Sequence, residues 1–185
     1  MKEELKQWHS PNLNMEMKTL VFGHGGYPIL LFPTSMGSYF ENKDFKLIDA
    51  VQQFVDAGKV KIYCPDGIDK LSWYNKGVHP QDRIKNHIWY DKYLLEELVP
   101  LAKHETGHHK VITAGCSFGD YHAANFAFRH PWTVSHLFSM SGAFDISSQL
   151  DGFYNDEAYF NNPVDFVPND MNQELWQMKI VLGTT

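Results

Sequence analysis

The chain carries only two cysteines in 185 residues, Cys64 and Cys116, both at the ends of predicted buried strands. Two are too few for a disulfide framework and suit a reducing, cytoplasmic compartment. No apolar run approaches the roughly 20 residues that span a bilayer. The opening Met1-Lys2-Glu3-Glu4-Leu5-Lys6 lacks the hydrophobic stretch of a secretory leader, so the reading predicts no membrane partner. Positive charge is scarce as well: 16 Lys and Arg against 22 Asp and Glu give a net charge of −6. That balance argues against nucleic acid, whose binding needs basic side chains to displace counterions. Internal repeats, low-complexity tracts and linkers are missing too. His104, His108 and His109 lie close together, but no cysteine or carboxylate cluster completes a metal shell, so a solvated loop is expected there and no metal.

What is present describes an ordinary folded domain. Hydrophobic residues make up 43% and charged residues 21% of the sequence, and the length suits one domain, residues 1–185, with a sizeable core. Residues 5–23 predict two strands around a Ser10-Pro11-Asn12 turn, ending at His24-Gly25-Gly26, which reads as a hairpin turn. Residues 28–32 form an apolar strand, and the pattern at 45–57 predicts an amphipathic helix closed by Gly58. A strand at 60–64 and a helix from Pro80 to about residue 103 follow. Further strands are expected at 111–114, 134–140 and 179–183, while 145–174 shows little periodicity. Strands alternating with helices predict an α/β fold: a mostly parallel sheet with an N-terminal antiparallel hairpin and helices on both faces.

The most informative stretch is Gly115-Cys116-Ser117-Phe118-Gly119, between an apolar strand and a helix of small residues. A G-x-S-x-G sequence at a strand-to-helix corner is the pattern of a nucleophile elbow; the competing reading is a plain glycine-rich turn. An elbow would hold Ser117 in a strained conformation, which requires small residues at Gly115 and Gly119. It would present the hydroxyl above the sheet and aim the Phe118 amide at a developing oxyanion. Aromatic residues are abundant at 15%, and Trp73, Tyr74, Phe153, Tyr154, Tyr159 and Phe160 are candidates for a substrate pocket at the carboxyl edge of the sheet.

These segments, with Phe128-Arg129-His130-Pro131, Phe138-Ser139-Met140-Ser141-Gly142, Pro65-Asp66-Gly67 and Ser72-Trp73-Tyr74, resemble the esterase branch of the α/β-hydrolase superfamily. That branch includes S-formylglutathione hydrolases, feruloyl esterases and mycolyltransferases. The resemblance implies a serine hydrolase acting on small carboxylic esters without a cofactor, through a Ser-acid-His triad in that chain order. It also implies a second oxyanion donor after the strand at 28–32, with Thr34 the first candidate and Ser35, itself a pocket candidate, the next.

Two features depart from the pattern. Asp120 stands where the resemblance expects a small residue, and is read as a solvent-facing acid of the first helical turn. The triad acid should follow the strand at 179–183 and the histidine should come later still, so both are expected beyond Thr185, with the domain incomplete at its C-terminus. A missing segment or a homo-oligomer is then expected to cover the last strand. Among in-chain histidines, His79 is the first candidate base, His122 is expected to pack against the sheet, and His130 to meet the last helical carbonyls. The alternative function is a non-catalytic α/β-hydrolase scaffold that binds a partner.

Overall fold

The computed structural model describes residues 1–183. Seven strands, β1 (Glu3–Ser10), β2 (Met15–Phe22), β3 (Tyr27–Phe32), β4 (Val60–Pro65), β5 (Val111–Cys116), β6 (Val134–Met140) and β7 (Lys179–Gly183), form one sheet in the order β1-β2-β4-β3-β5-β6-β7. Only β2 runs against its neighbours; β4, β3, β5, β6 and β7 are parallel. The expected fold class, hairpin and strand positions agree with this to within two residues at each end. The chain moves outward from β3 to β4 and then returns to lay β5 on the other side of β3. The carboxyl ends of β3 and β5 therefore meet at the point where the winding reverses, the usual binding crevice of an open α/β sheet.

One face of the sheet carries the larger core, where Met17, Leu30, Phe32 and Tyr63 from the strands pack with Tyr90, Tyr93, Leu98, Ala123 and Phe126 from the helices. The helix expected at about 80–103 is observed as three joined pieces. Pro80–Tyr93 is α-helical, Leu94–Leu98 is a π-helical turn, and Val99–Thr106 resumes the α-helix, closed by Gly107 in the left-handed region. Pro100 lies two residues beyond the end of the widened turn. Its missing N–H interrupts the hydrogen-bond ladder there, and the wider turn accommodates the break.

The opposite face is covered by short helices, Glu41–Asp44, Leu47–Ala50 and Gln52–Asp56, in place of the single helix expected over 45–57. Of the apolar positions in this segment, Ile48 and Val55 are buried with Leu31, Ile62 and Cys64, Leu47 and Val51 are half-buried, and Phe54 is exposed. Lys46 adopts φ 64°, which no helix interior tolerates, so the helix starts only at Leu47, and Val51, at φ −107° and ψ 6°, interrupts it again before Gln52. These helices cover the β2–β4–β3 side only. Beyond them Ile112, Phe138, Met140 and Val181 line an open apolar trough of about 640 Å³, and every residue of β7 is exposed.

The N-terminal hairpin is fastened along β1 by Lys6, which reaches Glu105 at 2.7 Å, and at its turn by Glu97. Glu97, on the π-helical turn, accepts hydrogen bonds from Trp8 Nε1 at 2.7 Å, Ser10 Oγ at 2.7 Å and Asn12 Nδ2 at 2.9 Å. These donors hold its carboxyl below the usual carboxylate range against the opposing effect of burial, which is the largest single influence on it. Glu97→Ala is expected to cost about 2 kcal/mol, the scale of hydrogen bonds to a charged group. Thermal unfolding should register the loss, and hydrogen exchange should show faster opening confined to residues 8–15.

Candidate active site

At the end of β5 the chain turns from strand to helix within one residue. Ser117 has φ 56° and ψ −121°, outside both the helical and the extended regions, and the helix Phe118–Arg129 begins directly after it. Such a conformation persists only where the surroundings over-determine it. Here the Ser117 N–H donates to the Met140 carbonyl at 3.0 Å, and the Ser117 carbonyl accepts from Asp120 N–H at 3.1 Å and Ala143 N–H at 3.3 Å. The flanking glycines leave no alternative. A methyl at Gly115 would overlap the Gly119 carbonyl, and one at Gly119 would overlap the Pro33 carbonyl. Ser117 itself is exposed. Neither its hydroxyl nor the Phe118 amide has a hydrogen-bond partner among the described residues.

The loop after β3 lies alongside this corner. Phe32 and Gly115 are paired in the parallel register of β3 and β5, and Pro33 packs on Gly119. Since the Pro33 carbonyl faces the elbow helix, the N–H of the same trans peptide faces away from it. The Thr34 amide accordingly donates to Glu41 Oε2 at 2.6 Å, so the residue expected first as second oxyanion donor is engaged elsewhere. Met36 N–H donates to Asp69 Oδ2 at 2.9 Å and Gly37 N–H to the Thr34 carbonyl at 3.0 Å. Of these four consecutive amides, only that of Ser35 has no partner among the described residues.

Sequence reasoning missed the residue that joins the two loops. Asp69 is buried, and while one carboxylate oxygen holds Met36, the other lies 2.8 Å from His122 Nε2. His122 packs against the sheet as expected, its ring stacked over Phe32 with centroids 6.1 Å apart. Asp69 thus connects the elbow helix to the loop after β3. No pattern in the sequence pairs residues 53 apart.

Asp120 is the clearest correction. The expected solvent-facing acid is fully buried, its Oδ2 accepting from Ser139 Oγ and its Oδ1 without a partner among the described residues. Gly142 sits directly on it, where a methyl would collide with the carboxylate. Burial pushes the Asp120 carboxyl up to about 6, with the Ser139 hydrogen bond acting in the opposite direction.

The other candidates are distributed as follows. Trp73 is fully buried, edge-on to Tyr121 and close to His87, and supports the elbow from beneath. Tyr74 is half-buried beside Phe118, with ring centroids 5.2 Å apart. Tyr154 is exposed and hydrogen-bonded to Asp165. His79 caps the helix Pro80–Tyr93, its Nδ1 accepting from Gln81 N–H at 3.2 Å. His130 bonds the Asp91 carboxylate at 2.9 Å and does not meet the last helical carbonyls through its side chain. His87 is buried beside Asn125 and Tyr121, and desolvation lowers its basicity well below the ordinary value. Cys64 is buried and Cys116 half-buried; both are free. Among the described residues no group of three or more His, Cys, Asp or Glu is placed to hold a metal ion, and no helix is long and apolar enough to cross a membrane.

Sheet order, the winding reversal and the strained serine corner define an α/β-hydrolase fold, and solved structures agree. The chain is similar to FphF, a fluorophosphonate-binding serine hydrolase of Staphylococcus aureus, with a TM-score of 0.74 and 14% identity over 99% of this chain and 78% of that one. It is similar to an S-formylglutathione hydrolase from Agrobacterium tumefaciens, with a TM-score of 0.72 and 12% identity over 98% and 86% of the two chains. Similarity to Mycobacterium tuberculosis MPT51 gives a TM-score of 0.62 and 20% identity over 82% of this chain, which spans 55% of that protein's length. No protein-family model and no curated protein matches the sequence.

Two outcomes are expected from this geometry. Asp120 in the folded protein keeps its proton to higher pH than in the unfolded chain, so stability declines as pH rises from about 4 to 6 and the contribution is flat above that. Asp120→Asn should remove that slope and gain on the order of 3 kcal/mol at pH 7, read by denaturant titration across the range. Asp69→Ala leaves the His122 ring and the Met36 amide without their shared partner and should cost about 2–3 kcal/mol, the scale of buried polar groups left unsatisfied, measured in the same way.

Proposed function

We propose that the protein is a serine hydrolase that cleaves small carboxylic esters through an acyl-enzyme at Ser117. The observation that carries this reading is an exposed serine at φ 56°, ψ −121°, with an unpartnered amide directly following it at the N-terminus of a helix. In the proposed reaction Ser117 Oγ attacks the ester carbonyl and the displaced electron pair settles on the carbonyl oxygen. The Phe118 amide donates to that oxygen, and the helix dipole favours the charge. The second amide comes from Ser35, which takes the role first assigned to Thr34 because the Thr34 N–H is held by Glu41. Collapse of the tetrahedral intermediate expels the alcohol, and water then releases the acid.

The serine proton needs a base. The family resemblance puts the triad acid and histidine later in chain order than the nucleophile, and no described histidine hydrogen-bonds Ser117. Ester substrates, in preference to amides, are supported by the resemblance and by similarity to a solved ferulic acid esterase, 16% identical with a TM-score of 0.69. Two free cysteines support a reducing, cytoplasmic setting.

Full-length protein should become covalently labelled by a fluorophosphonate probe at Ser117. Ser117→Ala should abolish labelling and hydrolysis of short aryl esters while leaving the melting temperature within a few degrees. Absence of labelling in the wild-type protein would overturn the enzyme reading in favour of a binding scaffold.

A further inference from the structure

Besides its unpartnered amide, Ser35 carries a hydroxyl with a hydrogen-bond partner of its own. Tyr74 Oη donates to Ser35 Oγ at 2.9 Å. Tyr74 is itself fixed, its N–H donating to the Asp69 carbonyl at 3.0 Å and its ring standing edge-on to Phe118. Ser35 is half-buried in a turn whose shape is set by Met36 at φ 60° and by the Met36 amide on Asp69. A serine oxygen that accepts a hydrogen bond still has its own hydrogen to give, and among the described residues no acceptor takes it. A loop tether would be expected to satisfy the residue it holds. Here both the N–H and the O–H of Ser35 are left without an acceptor, at the mouth of the crevice where β3 and β5 end.

Resting on the hydrolase reading above, we propose that the Ser35 hydroxyl is a third donor to the substrate oxyanion, and that Tyr74 is the positioning residue that directs it. Accepting from Tyr74 polarises the Ser35 O–H and makes it a stronger donor, because hydrogen bonds in a chain reinforce one another. As the Ser117 Oγ–carbon bond forms, negative charge grows on the carbonyl oxygen, and the amides of Phe118 and Ser35 and the Ser35 hydroxyl donate to it together. No proton is transferred to the oxyanion. When the carbonyl re-forms and the bond to the alcohol oxygen breaks, these bonds weaken to their ground-state strength. A donor acting on the developing charge raises the rate of the chemical step and leaves initial binding nearly unchanged.

The test is saturation kinetics of fluorophosphonate labelling in the full-length protein, which separates probe binding from the rate of bond formation at Ser117. Ser35→Ala should lower the bond-forming rate by roughly 10- to 100-fold with little change in probe affinity, within the range known for loss of one oxyanion donor. Ser35→Thr, which keeps the hydroxyl, should stay within a few fold of wild type, and Tyr74→Phe should fall between the two. Melting temperatures establish that each variant is folded. If wild type is labelled and Ser35→Ala reacts at the same rate, the third donor is refuted while the hydrolase reading stands. If Ser35→Thr is as slow as Ser35→Ala, packing and not the hydroxyl is responsible, and the proposal also fails. A wild-type protein that is never labelled would overturn both readings.

Discussion

The site depends on keeping one residue where an L-amino acid does not rest by preference. Ser117 occupies a backbone region that costs on the order of 1–3 kcal/mol, and three main-chain hydrogen bonds to Met140, Asp120 and Ala143 hold it there. Each bond draws on a different part of the architecture: the end of β6, the first turn of the elbow helix and the loop beyond Gly142. The two glycines around the serine add a steric requirement, since their missing side chains allow the helix to leave the sheet at once and Pro33 to close over it. The strain is local, but its support is distributed over much of the sheet's carboxyl edge.

A second layer of polar contacts carries that support to the loop after β3. Glu41 grips Thr34, Asp69 grips Met36, and Asp69 also reaches His122 on the elbow helix. Two buried or half-buried acids thereby determine which main-chain amides point inward and which are occupied. Asp120 works differently. Its carboxylate is enclosed by Ser139 and Gly142 with one oxygen unmatched, and burial favours the neutral form. The protein tolerates this group beneath its most strained corner at some expense of stability at neutral pH.

Much of this was legible in the residues, and the boundary of what was not has a physical explanation. Apolar runs and glycine spacing exposed the strands and the elbow because those signals are local: a buried strand must be apolar along its length, and an αL or otherwise strained corner excludes bulk on either side. The helix expected over 45–57 kept part of its buried face but not its continuity, because periodicity reports which side is apolar and says nothing of Lys46 turning left-handed or of Val51 leaving helical geometry. Asp120 was read from a rule about exposed first turns, which fails where the turn is enclosed by β6 and Gly142. The engagement of Thr34 by Glu41 is only seven residues distant yet still invisible, since it rests on how one peptide plane is rotated. The Asp69–His122 link spans 53 residues and required the fold itself.

The pairing of the loop at 34–37 has one further implication. Three of its four amides are already committed to acceptors within the protein before any ligand arrives. Its ordering entropy is therefore lost during folding and not at the encounter with a small molecule. Such a loop meets its ligand as a rigid edge, and its selectivity rests on shape and donor direction, with little room for adaptive closure.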